Sequence, residues 1–317
     1  MIKWLVGIIT VLIGIVAAIY IFIPNKLEIS KTAFIEANSE AAYRYVSEES
    51  KWMQWWPGTF VGKSGIDGNQ KGNFIYNNTR YVINNKSINA IEIVFTHDTQ
   101  ELNSHIVIVP LKKESTALRW ECVMETGTDP LSKIRRYKRA KEIKKNMDVI
   151  FSSLQRFLGK IENIYNLKIQ EITVLDTLLV ATKMSTSHYP NTKEIYILIK
   201  ELKQFISREG AKETNFPMLN ILRSDSNHFE TMVAIPVNMK VKSSGNFAFK
   251  RMVPGRILVA EVKGGRRSVD KAFAEMENYL KDYQIKSPAI PFESLVTDRM
   301  NNPDSINWVT RLYYPIL

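Results

Sequence analysis

Leu178-Leu179-Val180-Ala181 and Ile257-Leu258-Val259-Ala260 are the two short apolar runs on which the fold turns, because each opens the same series of elements, 79 positions apart. Around the first run, Ile172–Thr182 reads as a strand and Thr192–Arg208 as a helix ended by Glu209-Gly210. Phe216–Leu222 and Phe229–Val237 then read as a hairpin. Around the second, Arg256–Val262 is a strand, Ser268–Tyr283 a helix, and Phe292–Asp298 with Asn307–Pro315 a closing hairpin. Ile235-Pro236-Val237 and Tyr314-Pro315-Ile316 keep the offset of 79. One strand–helix–strand–strand unit exposes an apolar sheet face, and a second copy can cover it. The pattern therefore predicts a duplicated α+β domain over 166–317.

Upstream, residues 27–165 read as a strand, short helices, several strands and one long helix. Lys26–Ile35 alternates apolar and polar residues, as a half-buried strand does. Asn38-Ser39-Glu40 supplies cap residues for a helix running to Val46. Ala90–Thr96, His105–Val109 and Thr116–Met124 read as antiparallel strands, and a helix from Leu131 to Tyr165 closes the unit, with a linker near Asn163–Gln170. Before all of this, residues 1–26 form a membrane anchor. Trp4–Ile23 is twenty residues without charge or proline. At about 1.5 Å per residue it spans roughly 30 Å, the hydrocarbon core of a bilayer. A cleaved signal would have a shorter apolar stretch and a small-x-small site, and Ile19–Pro24 holds no small pair. Counting Lys26, Lys31 and Arg44 places the C-terminal side in the cytoplasm. Export of a charged N-terminus is the less usual insertion; the expectation leans to an extracytoplasmic body, with the opposite orientation open.

Composition removes several function classes. Cys122 is the only cysteine and the four histidines are scattered, so no disulfide, thiolate metal site or zinc enzyme is expected, and no cofactor. The net charge of +11 is concentrated between Lys133 and Lys145, where Lys133, Arg135, Arg136, Lys138, Arg139, Lys141, Lys144 and Lys145 fall within thirteen residues. Ile134, Tyr137, Ala140, Ile143, Met147, Ile150, Leu154, Phe157 and Ile161 step by three or four through the same stretch. A solvated face of an amphipathic helix explains the run most simply. Anionic lipid contact through Lys133, Arg135, Arg136, Lys138 and Arg139 comes second, and nucleic acid a distant third.

Two resemblances add to this. Ile35–Ala41, the tryptophan-rich Lys51–Gly58, Leu118–Cys122 and Pro130-Leu131 before the long helix resemble the START-like, polyketide-cyclase-like helix-grip family. The resemblance implies a curved sheet around a helix with an apolar cavity between them, which Trp52, Trp55, Trp56 and Trp120 could line; tryptophans so clustered are more often simply core. Met252–Gly264, Val269–Tyr283, Pro291–Leu295 and Trp308–Ile316 resemble the GyrI-like, effector-binding domain of bacterial transcription activators. That resemblance implies a concave aromatic site with Glu293 inside it, Glu230 as an approximate partner, and Phe292, Trp308 and Tyr313 as walls. No helix-turn-helix stands before this domain, so direct transcription control is not expected. The function expected is membrane-anchored, non-catalytic binding of a hydrophobic, amphipathic or cationic small molecule. The alternative is hydrolysis of small electrophiles by Glu293 and Glu230 as general acid and base.

Overall fold

Ile2–Phe22 form a single helix, α1, exposed along most of its length. Among the described residues it is the one helix long and apolar enough to cross a membrane. The computed structural model describes residues 2–62, 72–97, 100–174, 177–225 and 228–317. The chain divides into two units, Met1–Lys160 and Ile161–Leu317.

In the first unit the last turn of α1 is tied to the residues that follow. The Tyr20 hydroxyl donates to the Thr128 carbonyl at 2.6 Å. The Lys133 ammonium donates to the Ile23 carbonyl and to Asn25 Oδ1, both at 2.8 Å. The alternating Lys26–Ile35 is strand β1. Helix α2, Ser39–Ser47, starts where Asn38 accepts the Glu40 N–H, and α3 spans Glu49–Trp55. Strands β2 (Thr59–Val61), β3 (Asn73–Tyr76), β4 (Thr79–Lys86), β5 (Ala90–His97), β6 (Gln100–Lys112) and β7 (Ser115–Glu125) follow. With β1 they make one antiparallel sheet in the order β1-β7-β6-β5-β4-β3-β2. Asp129 caps and Pro130 opens α4, Pro130–Leu158, which packs on β1 and β7. The helix stops at Gly159 instead of running to Tyr165 as expected. The short α5, Ile161–Tyr165, belongs to the second unit, where the Tyr165 hydroxyl donates to Asp282 at 2.7 Å.

The second unit carries the duplication. Its strands are β8 (Gln170–Val174), β9 (Thr177–Thr186), β10 (Met218–Asp225), β11 (His228–Val237), β12 (Ala248–Met252), β13 (Gly255–Lys263), β14 (Phe292–Leu295) and β15 (Val309–Ile316). Helices α6, Thr192–Arg208, and α7, Arg266–Asp282, are 17 residues each. Asn191 and Glu194 form a reciprocal capping box on α6. Before α7, Gly264 sits at φ +128, where a Cβ would meet Ser268 Oγ at 2.4 Å, so glycine is required there.

The sheet runs β12-β9-β11-β10-β14-β15-β13-β8. It is symmetric about the seam between β10 and β14, where Met218 pairs with Ser294 and Leu219 with Glu293. The expected single strand Ile172–Thr182 is in fact β8 and β9, which lie toward opposite ends of this order; Leu175 and Asp176 between them fall outside the described residues. Three Cα steps join Val174 to Thr177, which cannot exceed about 11 Å. The same limit joins Met252 on β12 to Gly255 on β13. Both short links cross from one edge of the sheet to the other. The sheet is therefore curled into a half-barrel, with α6 and α7 on its outer face. Val180, Leu219, Val233, Ile235 and Leu295 point out to α6, and Leu258, Ala260, Leu312 and Ile316 to α7. The fold is thus α+β: an apolar helix, a sheet gripping a long helix, and a duplicated strand–helix–strand–strand unit.

Candidate functional site

Side chains alternate faces along a strand, so residues between the outward ones point into the half-barrel. One register row crosses its floor: Ala248, Ala181, Ala234, Met218 and Ser294 stand side by side on successive strands. Small side chains in that row leave room above them. The inner face encloses a cavity of about 810 Å³, lined by residues of all eight strands, among them Leu179, Ala181, Met232, Met252, Ile257 and Phe292. Pro288, Ala289 and Ile290 also line it. This volume lies within the usual range for small-molecule sites, about 300–1,000 Å³. A side lobe of about 220 Å³ shares Val174, Met218, Met252 and Phe292 with the main chamber and adds Tyr313. Phe292 and Tyr313 stack across strands with centroids 4.9 Å apart, forming one aromatic wall.

The polar side chains at the cavity are few and cationic or neutral. Asn220 donates to the Pro291 carbonyl at 2.9 Å. Arg256 is held by Glu171 through Nε at 2.6 Å and Nη2 at 2.8 Å. The Lys250 ammonium lies 3.7 Å from Met232 Sδ. No aspartate or glutamate side chain is among the lining residues.

Glu293, expected inside the site, is on the other face. It pairs in register with Leu219 and Leu312, both of which point outward, so its carboxylate lies under the helices. It is 6% exposed. Arg299 Nη2 lies 3.3 Å from one oxygen and Arg266 Nη1 3.7 Å from the other. Arg299 also donates to Thr310 Oγ1 at 2.9 Å and stacks on Trp308, whose indole N–H donates to the Asn302 carbonyl. Arg266 stacks on Tyr189 and bonds its hydroxyl. Burial pushes the Glu293 carboxyl above its ordinary range, and the two guanidiniums pull it only part of the way back. Trp308 is thus part of this cluster rather than a cavity wall.

Glu230 is exposed on β11 and shares the inner-face parity of Met232 and Ala234. The two glutamates therefore project from opposite faces of one sheet. They cannot act on one substrate as an acid–base pair, which removes the geometric basis of the hydrolase alternative.

Trp52, Trp55, Trp56 and Trp120 pack against one another and their neighbours. Trp52, Trp55 and Trp120 are buried, and their N–H groups donate to the Val46 carbonyl, the Tyr45 carbonyl and Ser104 Oγ. Trp56 donates to the Ile75 carbonyl at 3.2 Å. Ring contacts run from Trp52 through Phe74, Trp56, Tyr81 and Trp120 to Phe151 on α4. Lys133, expected on the surface, is 1% exposed against the end of α1.

No family model matches the chain, and no curated protein matches it. Solved structures do. The C-terminal domain of EcmrR is similar at 17% identity and TM-score 0.42, over 48% of this chain and 98% of that one. A hydrolase from Listeria innocua is similar at 12% identity and TM-score 0.38, over 47% and 92%. A START superfamily protein from Mycobacterium smegmatis is similar at 20% identity and TM-score 0.28, over 40% and 98%.

Proposed function

We propose that this protein is a membrane-anchored, non-catalytic receptor for a hydrophobic or amphipathic small molecule held inside the half-barrel of its second unit. The observation that carries the reading is the cavity of about 810 Å³ on the inner face, walled by aliphatic, methionine and aromatic side chains. Burial of apolar surface would supply most of the affinity, at about 25 cal/mol per Å² before the costs of association. Three methionines in the wall, Met218, Met232 and Met252, suit a binding surface that adapts to its guest. Asn220 and Lys250 are the polar groups that could meet a head group. A cationic guest is not favoured, because the carboxylate expected to receive it lies on the other face, already held by Arg299 and Arg266.

Retention of α1 as an anchor is supported by Lys133. Its buried ammonium takes its acceptors from Ile23 and Asn25 at the end of that helix. Cleavage there would take the Ile23 carbonyl and the Tyr20 ring away from that ammonium.

Native mass spectrometry of the full chain released from detergent tests the function. A copurifying small molecule of lipid or amphiphile mass is expected, bound one per chain. An empty protein that takes up no member of a panel of neutral and anionic acyl-chain amphiphiles would refute the reading.

A further inference from the structure

The contacts that fix α1 also decide which part of the basic run meets the bilayer. Thr128 and Lys133 both touch the last turn of α1, through Tyr20 and Ile23. Leu131, between them in sequence, is 73% exposed. An exposed leucine flanked by two residues that grip a membrane helix's end lies at the depth where that helix leaves the hydrocarbon. Tyr20 and Phe22 mark the same level, since aromatic rings collect at the membrane–water boundary. From Leu131 the helix rises about 1.5 Å per residue. Arg135 and Lys138 are therefore within roughly 10 Å of the exit point, inside the layer of lipid headgroups and about one Debye length. Both are exposed, and neither makes an ion pair among the described residues. At 3.6 residues per turn, Leu131, Arg135 and Lys138 fall on the side of α4 away from the buried stripe Ala140, Ile143, Met147 and Ile150.

The neighbouring acids do not cancel this charge. Asp129 spends its carboxylate on the Ser132 N–H as the helix cap. Glu125 and Glu142 are exposed, against Lys26, Arg135, Lys138, Lys141, Lys144 and Lys145 in the same region. Arg136 donates to the Glu125 carbonyl.

We propose that the first turns of α4 form a lipid-binding surface for anionic phospholipid, with Leu131 seated in the interface and Arg135 and Lys138 on headgroup phosphates. This rests on α1 being a retained anchor, but not on any occupant of the half-barrel. Its consequence is that the first unit lies against the membrane in a fixed attitude rather than swinging on the Pro24-Asn25 link. Each cation near an anionic surface contributes roughly a fivefold preference.

The test uses the full chain in nanodiscs of phosphatidylcholine alone and of phosphatidylcholine with phosphatidylglycerol, with hydrogen exchange read over residues 129–141. Exchange severalfold slower in the anionic discs, reversed by 0.5 M salt and by the double substitution Arg135→Ala/Lys138→Ala, is the expected result. Leu131→Ser should speed exchange in both discs. Assembly into both discs with identical exchange overturns the proposal alone. Failure to assemble into either overturns the anchor and the proposal together. Salt-sensitive retention of nucleic acid, with equal exchange in the two discs, overturns it in favour of a different partner.

Discussion

Ala234 offers the sharpest test of the half-barrel as a binding site. It stands between Ala181 and Met218 on the cavity floor, and its side chain points into open space. Ala234→Leu adds three carbons there without touching the helix-covered face. A ligand that fills the chamber must give up room for two or three methylene-sized groups. Each is worth about 0.8 kcal/mol of transfer free energy. Affinity should therefore fall by about 2 kcal/mol, close to 30-fold. Equilibrium titration of the full chain in nanodiscs with a fluorescent acyl probe, corrected for protein-free discs, measures this. Thr231→Val is the matching control. Thr231 is a buried neighbour on the outward parity of the same strand, and its hydroxyl has no partner among the described residues. Removing that hydroxyl should leave affinity unchanged and raise stability by about 1 kcal/mol. Equal probe affinity in wild type and Ala234→Leu, with both folded, would sink the site assignment. A loss of binding in Thr231→Val as large as that in Ala234→Leu would do the same.

Glu293→Gln should leave ligand affinity intact and flatten the stability–pH curve. The folded carboxyl titrates above its ordinary value of 4.5, so the folded state keeps a proton that the unfolded chain has already lost. Stability from this group is thus full below that ordinary value and falls as pH rises toward the elevated one; urea unfolding from pH 4 upward reads the difference. Lys133→Met leaves the Ile23 carbonyl and Asn25 Oδ1 without their donor and should cost about 1–3 kcal/mol, visible as faster proteolysis at the Pro24-Asn25 link. Gly58→Ala should destabilise the first unit, because the new Cβ would stand 1.9 Å from the Ile75 carbonyl oxygen; circular-dichroism melting that shows no change would contradict the packing described there.

The duplication could be read from the sequence because it rests on local signals. The α6 capping box, the Gly264 turn and the 3.6-residue periodicity of both helices each act within a few positions. What could not be read is which side of a strand faces what. Phe292 and Glu293 are adjacent, and a period of two says only that they diverge. The deciding facts are that Glu293 pairs with Leu219 and Leu312 and that the helices cover that side, which are long-range facts. Lys133 was hidden for a similar reason. In a run of basic residues nothing local distinguishes the one that turns inward, although it lies one turn back from Tyr137 and close to the angle of Ala140 on the helix. The tryptophans were legible as bulk, with core the commoner place for them, but which rings they meet depends on strands distant in sequence. The expected strand Ile172–Thr182 is two strands because β-forming character on both sides of Asp176-Thr177 does not show which sheet neighbours each half takes.

That crossing has a consequence for how the chain is made. Strand β9 is synthesised early and is flanked on one side by β11, but its other edge waits for β12, which belongs to the following repeat. Strand β8 waits longer still, for β13. Neither repeat can finish its own sheet, so a ribosome-bound N-terminal half carries an open β edge until Ala248–Met252 has emerged. Open edges recruit other strands. Chains stalled or truncated before that point should therefore be aggregation-prone in a way the complete half-barrel is not, and loss of Gln170–Val174 should reopen β13 even in an otherwise full-length chain.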